Sequence, residues 1–438
     1  MKFEFELETI TPLFMAGTDG RIPELRAPSI KGALRFWWRA MNGHLSIDEL
    51  REKEAEIFGG SGEKQGKSVF SIRIKDINNK APGKNIKQDY DLKFSYNKSA
   101  KTLSGNDAGI GYLFYSVMLG NGRSYFKDGK KFEIEFQSQS IPILQEVLAA
   151  FWALIFLGGL GSRARRCAGN FFVNNDKDQT DILQKTGLDF FPKSENTAAL
   201  IKWVIENYEK ASAIINKNSE NKDTDFISEY TNLSFSRIII SNNSFCNWKD
   251  ALNDIGEKYS KFRTDNKHNV FGTSVFGLPR KYIKTTDNKN YNRRSSPLLF
   301  KILKSNNKFY WMILRFSGEF LPERIVLKNR TVTKKPDYSQ IDKFWNKIKK
   351  DNIEEILFMP DSLKNLKKEI VNDLKTDSVI LFGSRVRGDF RDKSDIDIAV
   401  NTEQSVELSI IINRIDLVNL NSASKQLKKK IENEGIEI

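Results

Sequence analysis

One pattern occurs twice in this chain, and it limits the folds available more than any other feature. Lys2–Thr9 alternates, with Phe3, Phe5, Leu7 and Thr9 on one side and Lys2, Glu4, Glu6 and Glu8 on the other, as a half-buried strand does. An amphipathic helix follows over Ala27–Gly43, then Gly59-Gly60-Ser61-Gly62, Gly66-Lys67-Ser68 and a strand over Ser68–Ile74. The second occurrence starts with the alternating strand Lys131–Phe136 and the apolar helix Leu144–Leu157. It continues through Gly158-Gly159-Leu160-Gly161, the cations Arg163, Arg165 and Arg166, and Gly169 to a strand over Asn170–Val173. This repeated order reads as the internal duplication of a βα unit. Antiparallel sheets with helices on one face, in a split βαβ arrangement, bury such units, which places the chain in the α+β class.

The first of these helices carries two stripes. Ser29 is its expected N-cap and Gly43 its expected C-terminal glycine. Ile30, Ala33, Leu34, Trp37, Trp38 and Met41 fall at helical spacing, and Lys31, Arg35 and Arg39 are four apart on another face. A core helix with a solvated basic edge explains this pattern. So does a helix that packs its tryptophans inward and offers three cations to phosphates.

Charge separates the chain into two parts. The net charge is +14, yet Asp351–Ile438 holds 13 basic and 17 acidic residues, a net of −4, so Met1–Lys350 carries +18. A polyanion suits the front part as partner, and the tail has a different task. Two cysteines, Cys167 and Cys246, exclude a disulfide framework and a four-thiolate zinc site and fit the cytoplasm. With only His44 and His268 as histidines, chemistry based on paired imidazoles is not expected. No signal peptide is visible in Met1–Ile10, and the apolar run Val147–Leu157 is too short to cross a bilayer, so no membrane partner is expected.

Two glycine loops invite comparison with phosphate cradles. Ser61–Ser68 nearly imitates a P-loop, but it starts on serine and runs from helix to strand, the reverse of the required order. Gly158–Gly169 is better explained as backbone that approaches a polyanion clamped by Arg163, Arg165 and Arg166.

The tail holds the most specific motif. The apolar strand Val379–Phe382 ends at Gly383-Ser384, where a small residue and a hydroxyl let backbone N–H groups approach a phosphate. Asp395 and Asp397 alternate on a later strand and point to one face, a spacing suited to a shared pair of metal ions, and Asp416 completes a triad from another strand. Paired Mg2+ ions there would activate an attacking oxygen and neutralise a nucleoside triphosphate, with ATP favoured.

These motifs resemble known families. Ser29–Ala40, Ile57–Gly60, Gly158–Arg166, Phe276–Arg280 and Arg293–Pro297 are similar to signatures of the RAMP superfamily, in the first-numbered subunit of the Cmr complex, the type III-B CRISPR effector. The resemblance covers about Met1–Glu323 and implies two ferredoxin-like domains. It further implies contact with the 3′ part of a guide RNA and with target RNA, other Cmr RAMP subunits as partners, and no cleavage by this part. Lys31, Arg35, Arg39, Arg163, Arg165, Arg166, Arg280, Arg293 and Arg294 are the candidate RNA-binding residues. The tail, Asp351–Ile438, resembles the minimal nucleotidyltransferases of the polymerase-beta superfamily. That implies nucleotide-phosphate binding at Gly383 and Ser384, support from Arg387, and Mg2+ at Asp395, Asp397 and Asp416.

The expected organisation is a first ferredoxin-like domain over 1–128, a second over 129–328, a linker over 329–350 and a small α/β nucleotidyltransferase domain over 351–438. Function is then RNA binding in antiviral defence with an appended Mg2+-dependent domain. The alternative is an enzyme that moves a nucleoside monophosphate to a protein or RNA acceptor, a HEPN-type toxin among them, with the basic part delivering it.

Overall fold

The computed structural model describes residues 1–62, 65–99, 102–119, 123–178, 181–217, 229–278, 283–285, 294–318, 325–327, 333–350, 353–388, 390, 394–404 and 415–438. Its elements build three four-stranded sheets.

The first sheet draws on β1 (Lys2–Thr9), β2 (Phe70–Asp76), β3 (Lys131–Ser138) and β4 (Phe171–Asp178), in the spatial order β2-β3-β1-β4 with every pair antiparallel. Phe3, Phe5 and Leu7 of β1 and Phe132, Ile134 and Phe136 of β3 are buried. The alternate positions carry a solvated ladder of Lys2, Glu4, Glu133, Glu135 and Lys177. Helix α1 (Ala27–Met41) lies between β1 and β2 in the chain, followed by α2 (Ile47–Phe58). Pro28 occupies the first turn of α1 and Ser29 lies inside the helix, so Ser29 is not its cap. The N-terminus of α2 is closed by a reciprocal Ser46/Glu49 capping box. Between β2 and β3 a long insertion carries the short helix α3 (Ala108–Phe114). Helix α4 (Ile141–Phe156) joins β3 to β4 and is buried continuously from Val147 to Phe156, because it packs between α1 and α5 (Thr197–Ile215).

The second sheet repeats the plan. It uses β5 (Asn232–Ile240), β6 (Leu298–Ser305), β7 (Lys308–Ser317) and β8 (Glu355–Leu357) in the order β8-β5-β7-β6. Helices α6 (Trp248–Asp265) and α7 (Ser339–Lys349) supply the two crossovers and share its core. In both sheets the fourth strand lies outside the first and the third separates the first from the second, which is the ferredoxin-like order.

This corrects the expected organisation. The two repeated units are the two halves of one sheet spanning residues 2–178, not the cores of two successive domains, because β1 pairs with both β3 and β4. The boundary at 128/129 therefore cuts through the first unit. The supposed linker 329–350 contains α7, whose Ile341, Phe344, Trp345 and Ile348 are buried at helical spacing. The tail's first strand, β8, pairs with β5 of the second sheet. A polar composition hid an amphipathic helix.

The third sheet, in the order β11-β10-β9-β12, belongs to the tail: β9 (Val379–Phe382), β10 (Ile396–Val400), β11 (Ile415–Asn419) and β12 (Ile436–Glu437). Helices α8 (Asp361–Leu374), α9 (Gly383–Arg387) and α10 (Lys425–Glu434) complete it. The tail is docked rather than tethered. Phe235 of the second unit joins the tail's core, Arg385 lays its guanidinium over Phe235 and Phe390, and Arg315 donates to the Arg387 carbonyl.

Candidate nucleic-acid cleft and nucleotide site

The glycine loop after α4 is held from both sides. Gly169 has φ +62, and a Cβ there would stand 1.9 Å from the Leu160 carbonyl oxygen, so only glycine lets the loop double back. Beyond the turn the loop joins the edge of β6: Cys167 N donates to Phe300 O at 3.0 Å and Phe300 N to Arg165 O at 3.1 Å. A fully buried amine reinforces the seam, with Lys301 Nζ donating to Gly158 O at 2.6 Å. Burial pushes that amine down to about 7. The loop of the first unit is thus stitched to the second.

This seam fixes three guanidinium groups. Arg163, at φ +65, donates twice to Leu113 O and faces the Tyr115 ring at 5.0 Å. Arg165 donates to Ser296 O at 2.5 Å and lies over Phe316 at 4.8 Å and Phe36 at 5.4 Å. Arg166 bonds the carbonyls of Arg165 and Leu298, both at 2.8 Å, over Phe300 and Tyr259. Carbonyls and ring faces orient these cations without cancelling their charge. Among the described residues no carboxylate is within ion-pair distance of any of the three. Burial, and then the adjacent Arg166, push Arg163 and Arg165 down to about 10, which leaves both charged at neutral pH.

All three line one cleft of about 710 Å³ between the two units, together with Arg263, Arg294, Tyr112, Tyr115 and Tyr259. Arg294, read from the sequence, is there. Arg280 and Arg293 lie outside the described residues. Arg263 and the tyrosines were missed. The signal available was Tyr259 and Arg263 four apart on α6, which puts the ring and the guanidinium on one face.

The basic stripe on α1 is different. Arg35 donates to Phe58 O at 2.8 Å and Gly59 O at 2.5 Å, the open carbonyls at the end of α2. Glu54 lies 3.6 Å from Arg35 and 3.2 Å from Arg39. Lys31 rests over the Phe70 ring at 4.9 Å. These contacts hold α1 to α2 and β2, while Arg39 stays exposed at the edge of the stripe.

In the tail, β9 leads into Gly383, at φ +75, where a Cβ would lie 1.9 Å from Asp397 Oδ2. The turn therefore rests directly on that carboxylate. Asp397 and Asp416 are neighbours in register on the parallel pair β10 and β11. Burial, then Asp416, and more weakly Asp395, raise the Asp397 carboxyl above its ordinary value, with Lys430 and Arg387 acting the other way. A divalent cation relieves such like-charge crowding, so this pair fits one. The triad as a whole is less compact: Asp395 and Asp416 are exposed, and among the described residues no group of three or more acidic, histidine or cysteine side chains is drawn together as a metal cage. Ser384 is half-buried at the start of α9. Arg387, expected beside the loop or the phosphates, forks onto Glu434 of α10 at 3.1 and 3.2 Å, and Gly383 N donates to the same carboxylate at 3.2 Å. Glu434 is the feature the sequence did not disclose, since it lies 51 residues from Gly383.

Comparison with known proteins decides the family. Residues 6–171 match the RAMP superfamily. The CRISPR system Cmr subunit Cmr1-2 of Pyrococcus furiosus is 33% identical over 184 residues, 39% of this chain and 93% of that protein. The chain belongs to the RAMP superfamily, among the Cmr1 subunits. A second subunit of this kind, Cmr1-1 of Pyrococcus furiosus, is 27% identical over 330 residues, 73% of this chain and 89% of its own length. A chain in the cryo-EM structure of the type III-B Cmr-beta bound to cognate target RNA and AMPPnP shares the fold, with a TM-score of 0.52 at 14% identity over 79% of this chain and 98% of that one. Residues 364–438 match the polymerase beta nucleotidyltransferases, so this Cmr1-family chain carries a nucleotidyltransferase domain at its C-terminal end. The α+β class expected from the sequence holds, with helices packed on mainly antiparallel sheets. Among the described residues no helix is long and apolar enough to cross a membrane.

Proposed function

We propose that this chain is an RNA-binding subunit of a cytoplasmic type III-B effector. In this reading it grips guide and target RNA in the arginine cleft and packs against other Cmr RAMP subunits. The observation that carries the reading is the cleft itself: Arg163, Arg165 and Arg166, oriented by carbonyls and rings and lacking ion-pair partners among the described residues. Fixed forks of this kind suit phosphate oxygens, and flanking tyrosines suit unstacked bases. The family of the chain and the cognate target RNA bound by the type III-B Cmr-beta point the same way. Filter binding of single-stranded RNA across a salt series tests it. Arg163→Ala/Arg166→Ala lowers affinity for every sequence and reduces the steepness of the salt dependence by about two phosphate contacts. Parent-like binding by this variant at every salt concentration overturns the assignment.

A second reading rests on the crowding of Asp397 against Asp416. Here the tail transfers a nucleoside monophosphate from an NTP, ATP favoured, to a protein or RNA hydroxyl, and a HEPN-type partner is one acceptor. Asp397 and Asp416 would hold Mg2+, with Asp395 joining from the same strand face. The ion supplies charge neutralisation at the triphosphate. The chain's own part is to seat the phosphates at Gly383 and Ser384, with the glycine turn fixing Asp397 beneath them. Incubation with labelled ATP and Mg2+, with and without RNA or partner subunits, checks this: label transfer that vanishes in Asp397→Asn supports an enzyme, and no transfer to any acceptor supports a scaffold.

A further inference from the structure

Three of the large apolar side chains that stand out from the described surface occur together. Tyr96 is 58% exposed, Tyr115 51% and Leu119 67%. With Phe94, Tyr112 and Met118 they border a second cavity, of about 750 Å³, between the β2–β3 insertion and Ser260 and Thr264 of α6. Among the described residues of its wall, Lys87 is the charged one. Its ammonium lies 4.7 Å from the Phe94 ring and bonds the Phe94 carbonyl at 2.7 Å, so it covers an edge rather than filling the cavity.

The position of this cavity gives it meaning. Tyr112 and Tyr115 belong to its wall and to the wall of the arginine cleft. On the cleft side the Tyr115 ring meets the Arg163 guanidinium at 5.0 Å, and Tyr112 packs edge-on against Tyr259 at 5.8 Å. The two tyrosines form a ridge with fixed cations on one side and an open, ring-lined hollow on the other.

A ligand that satisfies both sides has an anionic group joined by a short link to a flat, largely apolar one. A nucleotide of single-stranded RNA has that form. Its phosphodiester matches the guanidinium side, and its base, free to leave the stack, matches the ring-lined side. In a duplex the base is already stacked and paired. An apolar peptide fills the hollow but leaves the adjoining guanidinium groups without an anion. We infer that the hollow bordered by Tyr96, Tyr115 and Leu119 receives one extruded base of a single-stranded RNA whose backbone lies in the arginine cleft. This rests on the RNA-binding reading and adds where a base is read out of the strand.

The test uses the full chain and single-stranded RNA oligonucleotides carrying one abasic site, moved along the strand. One abasic position weakens binding by the parent about tenfold, the loss expected when a base gives up an aromatic stack. In Tyr96→Ala that penalty falls to within about twofold, while the salt dependence stays that of the parent. Tyr96 is exposed, so the variant folds, and an unchanged Tm verifies this. Salt-dependent RNA binding with no abasic penalty overturns the base pocket and leaves the RNA reading standing. No salt-dependent RNA binding overturns both. Loss of a co-purifying subunit in Tyr96→Ala, again without an abasic penalty, makes the hollow a protein dock and overturns the inference.

Discussion

Glu434 illustrates how much a single residue adds to the tail. Its carboxylate takes the Gly383 N–H and Arg387 Nη1, the two donors that the proposed nucleotidyltransferase reading assigns to an incoming phosphate. Charge-assisted bonds of this sort are about twice as strong as neutral ones, so on the proposed reading a nucleotide has to compete with an anion already in place. Glu434→Gln weakens the occupant without emptying the space. A fluorescent ATP analogue in Mg2+ then binds about three- to tenfold more tightly, read by anisotropy, and an unchanged Kd contradicts a shared seat. The cations Arg163 and Arg35 teach the complementary lesson. Both have the sequence character of phosphate ligands. One is held by a backbone carbonyl and a tyrosine ring, the other by the open end of α2 and by Glu54. The residue type was readable in each case, but the partner was not.

At the scale of elements, those partners predict different losses. Arg35→Ala leaves the Phe58 and Gly59 carbonyls at the end of α2 without their donor and costs about 1–3 kcal/mol of unfolding free energy by urea titration. RNA affinity in the same variant stays at the parent value, and a drop like that of the cleft variant would restore the α1 stripe as a binding face. Helix α7 makes a sharper case. Trp345 is fully buried and its Nε1 donates to Glu355 at 2.8 Å, in a cluster where Arg237 reaches the same carboxylate at 2.8 Å. Burial opposes the charge on Glu355, but Arg237 and Lys349 outweigh it and keep the carboxyl below its ordinary value. Trp345→Ala therefore costs about 3–5 kcal/mol. A linker tryptophan would cost almost nothing, so calorimetry of this variant separates the two descriptions of 329–350. The helix is visible in Ile341, Phe344, Trp345 and Ile348, but the polar residues around them mask that stripe.

Across the whole molecule, Lys301 couples the two ferredoxin-like units to pH. Burial lowers its amine from 10.5 to about 7, with the Cys167 thiol acting the other way. Between those values the unfolded chain binds the proton and the folded chain does not, so the stability set by this group rises with pH from about 7 to about 10.5. Below that window both states carry the charge and the burden of burying it is complete. Lys301→Met removes the burden, so its Tm exceeds that of the parent most at about pH 6.5 and the margin narrows by about pH 9.5. A constant margin at both pH values would mean that the amine is not desolvated at the seam. The amine sits at the seam that holds the glycine loop against β6, through its bond to the Gly158 carbonyl.

Alternation along β1 and β3, the continuous apolar face of α4 and the turn around Gly383 were determined by the sequence itself, because each depends on the local period of side chains or on a backbone angle that few residues allow. The family was legible in the resemblance of its motifs, and the three cations of the glycine loop in their residue type. Which strands pair was decided only by the tertiary structure. Two repeated units close into one sheet because each alone leaves an open edge and half a helical layer, and burial of both is possible only together. The same long-range closure brings Glu434 to Gly383, Glu54 to Arg35 and Tyr115 to Arg163, contacts between residues whose sequence separations carry no periodic signal.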